Sequence, residues 1–138
     1  MLLSIDVIQE EVDKLTLKIG YPVRSINLCT APIGDGTPYI SFENKEYNYI
    51  YSERGYEFSR KVTRSIDELL YWIVFDFVSE IAFEYELKHR IPGRDGRRTA
   101  FPMMINLMGI MNNEWRVKVQ KEINEILSNA PYDDSLYL

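Results

Sequence analysis

The chain has 138 residues, 46% hydrophobic and 27% charged, with ten Tyr, six Phe and two Trp. That composition supports one sizeable core and excludes a disordered or low-complexity polypeptide. Twenty-one acids against sixteen bases give a formal charge of −5, which disfavours nonspecific nucleic-acid binding, while a single cysteine (Cys29) and a single histidine (His89) exclude a disulfide framework and any site needing two imidazoles.

The opening segment lacks a basic leader, and Asp6, Glu10 and Glu11 interrupt it before an apolar core forms. The longest apolar run, Leu69 to Phe75, stops at Asp76, short of the roughly 20 residues a membrane span needs. The expectation is a cytoplasmic protein that does not enter a membrane. Ile5, Ile8, Val12, Leu15 and Ile19 recur at helical spacing, with Ser4 placed to cap the free amides and Gly20 and Pro22 to end the helix. Residues 21–38, punctuated by prolines and glycines, read as a loop with a short strand around Ser25 to Thr30.

Three strands are expected next, at Tyr39–Glu43, Glu46–Ser52 and Tyr56–Arg64, joined by tight turns at Asn44-Lys45 and Glu53-Arg54-Gly55 into an antiparallel meander. The alternation puts Tyr47, Tyr49 and Tyr51 on one face, with Asn48 and Ser52 on a wet opposite face, and groups Tyr56, Phe58 and Val62. Ser65 then caps a second helix, with Asp67 and Glu68 in its first turn, which runs to about Arg90 and is apolar on nearly every side. A third helix is expected over Thr99 to Met111, with Pro102 in its first turn, and a fourth from Asn112 or Asn113 to Pro131. The fold class is therefore α+β in a single domain spanning 1–138: an N-terminal helix, a three-stranded antiparallel meander, then three helices packed around a central buried helix.

Charge is unevenly spread. Asp67 to Glu86 holds six acids and no Lys or Arg, whereas Lys88 to Arg98 holds five bases against Asp95 alone. Asp76, Glu80 and Glu84 repeat every four residues on an otherwise apolar helix, where unpaired buried carboxylates would be costly. The first reading pairs Glu80 or Glu84 with Arg97 or Arg98 as the loop folds back. A solvated acidic groove for a basic partner is a second reading, and a metal-dependent hydrolase using Asp76, Glu80 and Glu84 a third.

Other constellations are weaker. Glu86 and His89 match Glu-x-x-His, but a di-iron bundle needs two such pairs. Cys29 has no activating context, and Gly34-Asp35-Gly36 lacks the helix and Lys-Ser/Thr of a phosphate cradle. The tyrosines of the second strand lie among Glu43, Glu46, Glu53 and Glu57, which suits core packing better than base stacking. Met103, Met104, Met108 and Met111 are read as core or as an adaptable contact surface. A peptide added to the free edge of the meander is a further option. No catalytic residue, metal ligand or cofactor is assigned.

Ser52-Glu53-Arg54-Gly55, Asp67-Glu68-Leu69-Leu70-Tyr71-Trp72-Ile73, Glu84-Tyr85-Glu86-Leu87-Lys88-His89-Arg90 and Arg94-Asp95-Gly96-Arg97-Arg98, followed by Phe101-Pro102, Trp115 and Pro131-Tyr132-Asp133, form an ordered series. In this series the chain resembles the immunity protein 63 family of bacterial polymorphic-toxin systems, and it departs from the pattern at Met103-Met104, where a polar residue usually follows Phe-Pro. The resemblance implies a cytoplasmic α+β protein that binds and neutralises a cognate secreted toxin domain without turnover. An acidic inhibitor would be steered electrostatically toward a basic toxin such as a nuclease. Exposed acids Asp35, Glu43, Glu46, Asp133 and Asp134 are the candidate anchors, and Glu80, Glu84, Arg97 and Arg98 the candidate structural ion-pair network.

Overall fold

The computed structural model describes residues 1–137. Its elements follow the expected α+β order: α1 (Ile5–Leu17), β1 (Tyr39–Ser41), β2 (Tyr47–Glu53), β3 (Tyr56–Thr63), α2 (Ile66–Lys88), α3 (Arg97–Met111) and α4 (Asn113–Asn129). Short 3-10 turns at Glu43–Lys45 and Asp134–Tyr137 complete them. Two compact units divide the chain, Met1–Ile73 and the residues from Val74 onward, with the boundary inside α2.

In the first unit, Ser4 caps α1 as its position suggests, the hydroxyl accepting from the Val7 amide at 3.3 Å. The sheet is an antiparallel meander in the order β1-β2-β3. Glu53 pairs directly with Tyr56, so Arg54 and Gly55 form the two-residue turn, both at positive φ (51° and 81°) as a primed turn requires. Ile40, Tyr47 and Tyr49 pack with Ile8 and Val12 of α1 and with Leu69 and Ile73 of α2. The buried Tyr47 keeps its hydroxyl satisfied by accepting from the Leu3 amide at 2.7 Å.

Two sequence expectations fail here. The second face of β2 is not wet: Asn48, Ile50 and Ser52 are all buried. Asn48 is admissible inside because its amide donates to the Glu43 and Glu46 carbonyls and its Oδ1 accepts from Arg60 Nη1. Residues 25–30 form no strand. They are held by Gln9, a buried side chain of α1 whose amide donates to the Ile26 carbonyl at 2.8 Å and whose Oε1 accepts from the Leu28 amide at 3.0 Å. In place of a strand ladder the segment has the Gln9 side chain and one backbone bond, from the Ile40 amide of β1 to the Cys29 carbonyl at 2.9 Å.

From Val74 onward, Val78 and Ala82 of α2, Phe101, Met104, Met108 and Met111 of α3, and Trp115, Val119 and Ile123 of α4 are buried. Three of the four α3 methionines are thus core, and Met103 alone is half-exposed. The last turns of α2 are wetter than the sequence suggests, since Phe83, Tyr85 and Leu87 are exposed. Phe83 meets Phe101 edge-to-face, with ring centroids 6.1 Å apart. Asn112 caps α4, its side chain accepting from the Glu114 amide at 2.9 Å. Among the described residues no helix is long and apolar enough to cross a membrane.

Candidate functional site

The charged segment that ends α2 and starts α3 builds an ionic hub, but not from the expected pairs. Glu84 pairs with Lys88, one turn along its own helix at 3.0 Å, and Glu80 is exposed. Asp76 is half-buried and engaged within the chain. The physical reason is exposure: Glu80 and Glu84 lie in water, so neither needs a guanidinium to offset desolvation. The acid that α2 buries is Glu86, only 4% exposed, and Arg90 closes on it through two parallel bonds of 3.0 Å.

Arg97 and Arg98 serve other acids. Asp95, 1% exposed, accepts from the Arg97 guanidinium, from the Arg97 amide at 2.9 Å and from the Asp133 amide at 2.9 Å. The Arg97 bonds hold the Asp95 carboxyl far below the ordinary carboxylate range, outweighing the opposite effect of burial. Arg97 also donates to the carbonyls of Ala130 and Pro131, both at 2.8 Å. Asp134 accepts from the Asp95 amide at 2.7 Å and from Arg98 Nε at 2.9 Å. Arg98, first, and then that amide lower its pKa. Arg98 lies 4.4 Å over the Tyr132 ring, Arg90 5.4 Å over Tyr137, and the Gly93 amide donates to the Tyr137 carbonyl. The hub therefore fastens residues 130–137 to the start of α3. Its central acid was readable only as a local signal, an Asp two residues before an Arg at a helix start, which is the pattern of a side-chain turn.

The five candidate anchors are each engaged internally. Asp35 accepts from the Thr37 amide at 2.9 Å, and the Thr37 side chain, first, and then that amide lower its pKa. Glu43 pairs with Arg60 at 2.9 Å, and Glu46 approaches Arg64 at 3.8 Å. Asp133 receives the Ser135 amide and hydroxyl, and Asp134 belongs to the hub. His89 directs Nδ1 to the Tyr85 carbonyl at 2.9 Å and stacks on that ring, so Glu86 and His89 do not converge. Among the described residues no three His, Cys, Asp or Glu side chains gather as a metal-holding group.

The meander has two edges: β1, whose Ile40 amide donates to the Cys29 carbonyl, and β3, where Tyr56, Phe58 and Val62 are exposed. They do not form a regular row: a bulge at Phe58 shifts the register between Tyr51–Ser59 and Ser52–Glu57. A bulge is a common guard against strand addition at an open edge.

No match was found among curated proteins or among solved structures. A family model does match, from residue 43, in the turn before β2, to residue 125 in α4, a span that holds β2, β3, α2, both buried carboxylates and the whole of α3. The chain belongs to the immunity protein 63 family.

Proposed function

We propose that this immunity protein binds a cognate toxin domain in the cytoplasm of the producing cell and blocks it sterically, without turnover. Family membership supports an immunity role. The observation that carries the binding reading is the hub: Asp95, Arg97 and Arg98, charged groups that could have served chemistry, are closed on each other, on Asp134 and on the chain's own backbone. The net charge of −5 favours approach to a basic toxin, such as a nuclease, through the long-range field, to which Asp35, Glu43 and Glu46 contribute. The chain is taken as one immunity-protein-like domain, because α2 runs unbroken through the boundary between its two units.

The reading expects a toxin domain encoded beside this gene, and the test is co-expression with that domain. Cells should survive only with this protein, and the purified pair should form a stable one-to-one complex burying about 1,600 Å² or more. Survival of cells lacking it, together with no complex at micromolar concentration, would overturn the reading.

A further inference from the structure

Beyond Arg98, the exposed side of α3 differs from the rest of the chain in its lack of charge. From Thr99 to Asn113 the chain carries no charged residue, although 27% of all its residues are charged. Part of that run is solvent-facing: Pro102 and Asn106 are exposed, and Ile110 is 48% exposed. Beside it α4 presents Val117, 70% exposed. Between the helices lies a cleft of about 430 Å³ lined by Ile105, Arg116, Val117, Gln120, Lys121 and Asn124.

The cleft has apolar walls, two amides that bond each other at 3.0 Å, and two cations, with no acid in its lining. Arg116 reaches it by lying flat across Gly109, in the space a side chain there would occupy. Among the described residues no carboxylate pairs with Arg116 or Lys121, unlike Arg60, Arg90, Arg97 and Arg98. Depletion of charge with exposed aliphatics and an arginine is the composition of an interface centre.

Building on the immunity reading, we propose that this face docks the toxin domain, and that the cleft receives an apolar side chain of the toxin flanked by a carboxylate. The carboxylate answers Arg116 and Lys121, and the apolar group meets Ile105 and Val117. A second copy of this chain fits poorly, because two such clefts would bring Arg116 and Lys121 of both copies together with no acid in either lining. The bulged β3 edge offers no comparable seat. The overall acidity of the protein then acts at long range, while the contact itself has the opposite sign.

That opposition supplies the test. Val117→Asp and Lys121→Glu both make the protein more acidic, so attraction governed by net charge alone predicts unchanged or tighter binding to a basic toxin. Docking through this face predicts at least tenfold weaker binding for each, measured by calorimetry against an active-site-inactivated toxin domain from the adjacent gene. Val23→Asp, at another exposed aliphatic, should bind as the wild type does. Thermal melts check that the variants fold, and the surface position of Lys121 keeps the test valid if Val117→Asp does not. Unchanged or tighter binding by Lys121→Glu, equal loss in Val23→Asp, or a wild-type dimer in light scattering that Val117→Asp dissolves would each overturn the proposal. Failure of the wild type to bind would instead sink the immunity reading beneath it.

Discussion

The carboxylate of Glu86 rests against the α-carbon of Gly96: a methyl group added there would sit 2.5 Å from both Cδ and Oε1 of Glu86. Gly96 has an ordinary right-handed backbone (φ −59°, ψ −26°), so glycine is required by the neighbouring acid and not by conformation. Because Glu86 is buried and held by Arg90, it cannot swing aside without breaking that pair. Gly96→Ala should lower stability by about 1–3 kcal/mol in chemical denaturation. Adding Glu86→Ala to it should recover part of the loss through a positive coupling between the two sites.

Gly109→Ala provides the contrast. The atoms in its way are the end of an exposed Arg116 side chain, which is free to move. The helix-propensity gain should then prevail, raising stability by up to about 1 kcal/mol. If the α3–α4 cleft docks the toxin, the same change should weaken toxin binding by displacing the guanidinium, so stability and affinity move in opposite directions.

Asp95→Asn removes the charge at the centre of the hub and leaves Arg97 without its counter-ion. A loss of about 2–3 kcal/mol is expected, with faster hydrogen exchange at the Asp133 amide, whose acceptor is Asp95. Glu80→Gln and Glu84→Gln should change stability by no more than about 0.5 kcal/mol, because both acids are solvated.

Acid should loosen the hub. Asp95 and Asp134 both ionise below the ordinary value of 3.8, held down chiefly by Arg97 and Arg98 respectively. As pH falls through that ordinary value the unfolded chain takes up protons that the folded chain refuses. The stabilisation is therefore complete above about pH 5 and drains away toward the depressed folded-state values. Urea midpoints should fall from pH 5 to pH 3, and more shallowly in Asp95→Asn; equal slopes would refute this account.

Gln9 gives a test far from the charges. Gln9→Ala leaves the Ile26 carbonyl and the Leu28 amide without partners, which should cost about 1–3 kcal/mol and raise amide exchange at Leu28 before global unfolding.

Features written in local chemistry were legible. Ser4 before an amphipathic run, and Arg54-Gly55 between alternating segments, announced a cap and a turn that the structure reproduces. Features decided by long-range partners were not. Glu80, Glu84 and Glu86 are chemically alike in the sequence, and the close approach of Gly96 and the pair with Arg90 mark out the last in the structure. Asn48 reads as a wet residue because nothing nearby advertises the carbonyls of Glu43 and Glu46 turning toward it. Asp133 and Asp134 read as exposed anchors because their partners stand nearly forty residues earlier.

That separation governs the order of events on the ribosome. Asp95 is synthesised long before Asp133 and Asp134, and until they emerge two of the hub's bonds have no second member. A chain truncated at Asn129 holds every residue of α3 and α4, yet carries an open electrostatic socket at the head of α3. The final snap into place thus belongs to the moments after translation has passed the last helix, and a premature stop just beyond α4 should yield a protein that chaperones hold and proteases recognise.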